Sequence, residues 1–156
     1  MSISIRRATI DDLSSICDLS QSIFNHEREF TNEFNMNWSH AKEGKEFFYK
    51  RLKGKTSCIF LAFDGETTVG YILITLQKYA WRAFLPIAEV TNLGVLPSYR
   101  SKGIGTMLIQ KAKTYAMKRG AKRMSVETLE GNIRAVDFYK RCGFTDFSRT
   151  MLMKLL

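Results

Sequence analysis

The 156-residue chain reads as an α/β (α+β) protein: one domain over residues 1–156, with a mixed, mostly antiparallel sheet of six to seven strands flanked by about four helices. Three observations point there. Short runs rich in β-branched and aromatic residues alternate with longer segments of helical periodicity. Hydrophobic residues make up 45% of the chain and charged residues 25%, the balance of a globular chain long enough to bury a core. No linker divides it, since Pro86 and Pro97 are isolated and no repeat or low-complexity tract occurs.

Residues 3–8 alternate as a first strand. Thr9 and Asp11 offer cap oxygens for a helix over 10–26, in which Leu13, Ile16, Cys17, Ser20 and Phe24 share a face. Periodicity is lost over 27–38, and Ser39 can cap a second helix to about residue 53, with Phe47, Phe48 and Leu52 inward. An apolar run over 57–63 meets Asp64-Gly65, a hairpin signal, and 67–77 is its partner strand. Residues 78–85 form an aromatic, basic loop or strand extension, followed by a strand over 86–95. Beyond Pro97 a Gly-rich turn opens a helix to about residue 119, where Gly120 stops it. A strand over 123–128, a helix capped by Asn132 and running to residue 141, and short strands over 144–147 and 150–155 close the chain.

Composition excludes several classes. No apolar run reaches the length of a membrane span, and the first residues lead straight into a strand, so a soluble, cytoplasmic protein without membrane contact is expected. Cys17, Cys58 and Cys142 are odd in number and widely spaced, as buried thiols in a reducing compartment would be. With only His26 and His40, no metal site and no Ser-His-Asp set can be assembled. The net charge of +9 suits an anionic partner, but nucleic acid, a membrane surface and a polyphosphate all qualify. Placement has to decide.

The placement is at Arg100-Ser101-Lys102-Gly103-Ile104-Gly105-Thr106, between a strand and a helix. The first amides of a helix lack intrahelical partners, and its dipole puts partial positive charge there. Gly103 and Gly105 remove Cβ atoms that would hinder a phosphate, while Arg100 and Lys102 add charge at the mouth. A Gly-x-Gly pair alone is weak evidence, because glycines often just make turns. Neither a P-loop nor a dinucleotide fingerprint fits: the third glycine of the latter would fall at Leu108.

Arg100-x-x-Gly103-x-Gly105 resembles the Gln/Arg-x-x-Gly-x-Gly/Ala signature of the GNAT superfamily of acyl-CoA-dependent N-acetyltransferases. The lead-in from Ala88 to Tyr99, the later Asn132-x-x-Ala135-x-x-Phe138-Tyr139-x-x-x-Gly143-Phe144 and the opening Ile5-Arg6-Arg7-Ala8-Thr9-x-x-Asp12 are similar to the same family in the same order. The resemblance implies acetyl-CoA as co-substrate, no metal, and direct transfer to a primary amine in a ternary complex. It implies pantetheine on the backbone of Leu93, Gly94 and Val95, pyrophosphate on the amides of 101–106, and a cofactor contact at Asn132 beside its capping role.

It also implies Glu89 as general base and Tyr139 as proton donor to the departing thiolate. The residues alone leave alternatives open: an edge-facing or salt-bridged Glu89, a core aromatic at Tyr139, and core packing by Leu93 and Val95. For the acceptor, Glu27, Phe30 and Trp38 belong to an acidic, aromatic stretch, residues 25–39, that suits a small cationic amine or a peptide amino terminus, or is an ordinary amphipathic surface. The competing functions are a peptide N-terminal acetyltransferase and a non-catalytic acyl-CoA-binding module. A nucleic-acid binder is disfavoured by the lack of aromatic interleaving among the basic residues, and a homodimer is compatible with all of these.

Overall fold

The sheet of this computed structural model, which describes residues 2–155, has the strand order β1 (Ile3–Arg7), β2 (Ser57–Asp64), β3 (Thr67–Gln77), β4 (Ile87–Val95) and β5 (Arg123–Val126). Met1 and Leu156, the ends of the domain expected over 1–156, lie outside the described residues. The first four strands are antiparallel neighbours, while β4 and β5 run parallel because α3 (Ile104–Lys118) carries the chain back between them. The other helices are α1 (Leu13–Glu27), α2 (Lys42–Lys53) and α4 (Ile133–Arg141).

The pleat sorts alternate residues of β2 and β3 into two cores. Cys58, Phe60 and Ala62, with Ile72 and Ile74, face Ile104, Leu108, Ile109, Ala112 and Ala116 of α3. Ile59 and Leu61, with Tyr71 and Leu73, face Ile16, Cys17 and Leu19 of α1 and Phe48 of α2. The central strands are therefore buried on both sides, which explains why their sequences read as apolar runs rather than as clean alternation. Among the described residues, no helix is long and apolar enough to cross a membrane.

Three expectations change. The sheet has five strands, not six to seven, because residues 144–147 and 150–155 form no ladder with β5. Strand-like composition needs a neighbour to pair with; here the segment makes exposed ion pairs with the rest of the chain at Lys140–Asp146 (3.1 Å) and Arg149–Glu130 (3.8 Å), alongside the packing of Phe144 on Tyr139. The first helix starts as a 3-10 turn, Ile10–Asp12, and its cap carboxylate is that of Asp12, not Asp11. Asp12 accepts the Thr9 N–H at 2.7 Å and both terminal nitrogens of Arg6 at 2.8 Å. Ser39 does not cap α2: it is buried in a 3-10 turn, Trp38–His40, where its hydroxyl lies 2.8 Å from that of Ser20. A buried hydroxyl needs such a partner, and α2 begins only at Lys42.

Candidate active site

β4 and β5 pair only from Ile87–Arg123 to Val90–Val126. At the next residue β4 bulges: Ile74 of β3 faces Val90 and Leu73 faces Asn92, so Thr91 has no partner across the ladder. The Thr91 hydroxyl instead lies 3.1 Å from that of Thr75. β4 continues to Val95 while the chain beyond Val126 turns away, and the strands part. Between them opens a cleft of about 380 Å³, walled by Leu93, Gly94 and Val95 on one side and by Glu127, Thr128 and Leu129 on the other.

The Gly-rich turn closes one end of this cleft. Ser101 and Gly103 take positive φ, 63° and 79°, which curls the chain so that successive amides point the same way. The first helical bond of α3 runs from the Met107 N–H to the Gly103 carbonyl, and among the described residues the amides of 101–106 have no protein acceptor. The Arg100 Nε donates to the Val95 carbonyl at 3.0 Å, and Arg134 of α4 donates to the Ser101 hydroxyl at 3.0 Å. Burial, and then the nearby Arg134, lower the Arg100 pKa. Two guanidiniums and a ring of unpaired amides make a cradle for a multiply charged anion.

Two residues of the turn have surroundings that the sequence did not show. Gly103 is open to space and is required for its left-handed φ, but a Cβ on Gly105 would meet the Phe138 ring at 3.0 Å. Gly105 lines the cleft, and its missing Cβ also lets α4 pack on α3. Lys102 is not among the cleft-lining residues: its ammonium stands 5.0 Å from the Tyr99 ring, and Arg134 supplies the second charge at the cradle.

The helices bring up the remaining groups. Asn132 is nearly buried; its side-chain oxygen accepts the Ala135 N–H at 3.1 Å, capping α4 at the cleft edge. Tyr139 lines the cleft between the rings of Phe138 (5.1 Å) and Phe144 (5.5 Å), and burial pushes its phenol well above the ordinary range. Glu27, the last residue of α1, lines the cleft too. Burial raises its carboxyl, and its charge is felt at both Tyr139 and Tyr71. Cys142 also lines the cleft, with its thiol raised by burial.

Glu89 stands apart, on the face of β4 opposite Ala88 and Val90, which pack on the α3 side of the sheet. The Tyr79 hydroxyl donates to it at 3.2 Å, and Arg51 of α2 senses its charge. Phe30 is not among the cleft-lining residues: it packs edge-on to His26 at 5.4 Å and lies 3.7 Å from where a Cβ on Gly131 would be. Trp38 is not a cleft wall: it packs against Phe24, Phe47 and Phe48 at ring distances of 5.1–5.8 Å, beside the core of α1 and α2. Tyr79 escaped the sequence reading, although the hairpin register that pairs Gln77 with Ile87 brings it near Glu89. No cluster of three or more His, Cys, Asp or Glu among the described residues could hold a metal ion.

The acetyltransferase (GNAT) family profile matches residues 20–144. An uncharacterised N-acetyltransferase of Methanocaldococcus jannaschii is 30% identical over 142 residues, 91% of this chain and 60% of that protein. The thialysine N-epsilon-acetyltransferase of Bos taurus is 32% identical over 85 residues, 54% of this chain and 49% of its own length. This chain thus spans 60% of the one relative and about half of the other. Among solved structures, AAC(6')-Iy with the bisubstrate analogue CoA-S-monomethyl-acetylneamine superposes with a TM-score of 0.77 at 16% identity, covering 99% of this chain and 98% of that one. The likeness at that identity is one of fold.

Proposed function

The chain belongs to the acetyltransferase (GNAT) family, and from that premise we propose that it transfers the acetyl group of acetyl-CoA to a primary amine by direct attack, with both substrates bound together. The family makes it an acyltransferase enzyme. The observation that carries the proposal is the junction of the strand splay at Thr91 with the unpaired amides of 101–106 at the end of the same cleft. A thioester tail lying beside Leu93, Gly94 and Val95 would take the place that β5 vacates, and its pyrophosphate would meet the amides, Arg100 and Arg134.

The thioester supplies an acyl carbon whose bond to sulfur breaks as the amine nitrogen bonds to it. The chain's residues manage the protons. An amine near pKa 10 is mostly protonated at neutral pH and cannot attack until it loses a proton. Glu89, two residues before the bulge, takes that proton through water while Tyr79 holds its carboxylate in place. Tyr139 remains a neutral phenol because burial disfavours its anion, so its O–H is available to the sulfur as negative charge develops there.

Glu27 makes no ion pair among the described residues and lines the cleft, so it suits an ammonium on the acceptor. The names of the relatives support an amine acceptor as well: one is a thialysine N-epsilon-acetyltransferase and AAC(6')-Iy is an aminoglycoside N-acetyltransferase. We therefore favour a small cationic amine. The test is release of free CoA thiol across a panel of polyamines, aminoglycosides, amino acids and short peptides. Turnover should be greatest with acceptors carrying a second positive charge. Binding of CoA without thiol release for any amine would overturn the catalytic reading and leave a binding module.

A further inference from the structure

Two arginines that the proposed reaction does not use stand near Glu89. Arg51 of α2 has its guanidinium carbon 3.4 Å from the centre of the Phe47 ring, and one terminal nitrogen donates to the Phe47 carbonyl at 3.4 Å. Its Nε is buried with no hydrogen-bond partner. Burial lowers its pKa against the pull of the Glu89 charge. Arg82 lies in the loop between β3 and β4, where its N–H donates to the Tyr79 carbonyl at 2.9 Å. Its guanidinium stands 4.6 Å from the Trp81 ring and 4.8 Å from that of Phe147, and its Nε too is buried without a partner. The Arg82 charge is felt at Tyr79, the phenol that donates to Glu89.

Both guanidiniums are thus positioned by aromatic rings rather than by acids: among the described residues, neither has a carboxylate within ion-pair reach. Two positive charges flank the single carboxylate of Glu89, which leaves the surroundings of that residue net positive. A buried donor without an acceptor is costly, and a bound oxygen would satisfy it. The sheet beside Glu89 is polar as well. Thr75, its partner across the ladder, has its hydroxyl 3.1 Å from that of Thr91 and 3.4 Å from that of Ser57.

We propose that Arg51 and Arg82 form a carboxylate seat in the acceptor site, so that the acceptor is a diamino acid. The inference rests on the acetyl-transfer reading and sharpens it. Glu89 would take the proton of the reacting amine, Glu27 suits a second ammonium, and the guanidiniums would hold a carboxylate, which they match by paired N–H···O bonds. Those three demands describe two amines and one carboxylate on the same small molecule. A polyamine meets only the first two, and would bring a cation toward the guanidiniums.

The test titrates the CoA-loaded chain by calorimetry with lysine, lysinamide and cadaverine, which share a diamine spacing and differ at the carboxylate. Thiol release from acetyl-CoA is then measured with the same three. Lysine is expected to bind about tenfold or more tightly than either of the others. Arg51→Met and Arg82→Met should each shrink that preference, and the double variant should abolish it, while CoA still raises Tm and so reports an intact fold. Arg82 lies in a loop, so its variant serves even where Arg51→Met fails to fold. Lysine binding no better than lysinamide would overturn the seat, as would a preference that survives in the double variant. The two readings fail separately. A lysine preference in binding without thiol release would support the seat and overturn the transfer; thiol release indifferent to the carboxylate would do the reverse.

Discussion

Arg134 of α4 donates a hydrogen bond to the Ser101 hydroxyl at 3.0 Å, joining the helix that carries Tyr139 to the turn that opens α3. The residue that would help hold phosphate thus also sets the position of the helix that would meet the sulfur. Replacing Arg134 with Ala is expected to weaken CoA binding about tenfold, about 1.4 kcal/mol, and to flatten its salt dependence. Lys102→Ala should change binding by less than about threefold, because Lys102 is turned toward Tyr99. Calorimetric titration with CoA at two ionic strengths separates the two variants.

Glu27 should show a trade of stability against binding. Burial raises its carboxyl pKa in the folded chain, so the stability it gives is present below the ordinary glutamate value and is lost as pH rises through the folded one. At neutral pH the ionised side chain is therefore a cost in the absence of an acceptor. Glu27→Gln is expected to raise Tm at pH 7 and leave it unchanged at pH 3, while the KM for a cationic amine rises about tenfold or more with a smaller effect on kcat. A lower Tm at pH 7 would contradict this.

The two groups proposed to handle protons should separate by pH. Glu89→Gln is expected to lower kcat about 100-fold near neutrality, with partial recovery at high pH, where more of the amine is already deprotonated. Tyr139→Phe should lose about 10- to 100-fold in kcat at all pH values below the tyrosine range, with CoA binding unchanged. Thiol-release rates from pH 6 to 10, beside CoA titrations, check both.

Gly44 is the glycine whose backbone surroundings leave least room. A Cβ there would collide with the Trp38 carbonyl, which belongs to the 3-10 turn that buries Ser39. Neither partner is a flexible side-chain tip, so Gly44→Ala is expected to cost about 3 kcal/mol. Gly65→Ala, with open space but a φ of 60°, should cost about 1 kcal/mol. Urea denaturation of the two variants gives the comparison.

Asp12 should govern part of the acid limb of stability. Its hydrogen bonds from Arg6 outweigh desolvation and hold its pKa at about 2. A depressed carboxyl contributes stability above its unfolded value near 3.9 and loses it as pH falls toward 2. With Arg6 half exposed, the contribution is about 1 kcal/mol. Asp12→Asn is expected to unfold more easily at pH 7 and to show a shallower pH dependence between 4 and 2.

The curled turn was legible because a left-handed backbone leaves a mark in residue type: Gly103 follows Ser101 in the curl, and Arg100 stands at its start. Asn132 was legible for a similar reason, since a capping side chain sits at a defined offset from its helix. Trp38 was not, because an aromatic in an aperiodic stretch has the same signature whether it lines a cleft or packs on Phe47 and Phe48. The packing reason for Gly105 was hidden in a related way: a missing Cβ looks the same whether it leaves room for a ligand, for the Phe138 ring or for both. The bulge at Thr91 left no trace in composition, since it arises from register against β3. Strand-like segments at 144–147 and 150–155 show the opposite failure, propensity without a partner in the same chain.

The bulge at Thr91 has a consequence for how such a chain can change over time. A cleft formed by where two strands part, and gripped by main-chain amides, asks little of the side chains along it. Leu93, Val95 and Ser101 can be exchanged for others of suitable shape so long as the extra residue in β4 and the left-handed turn persist. A backbone scaffold of that kind tolerates wide drift in sequence, which fits a superposition at TM-score 0.77 alongside only 16% identity. The wall of the cleft that supplies Glu27 is made of side chains, so on the proposed function acceptor preference would diverge while the seat proposed for the co-substrate stays in place.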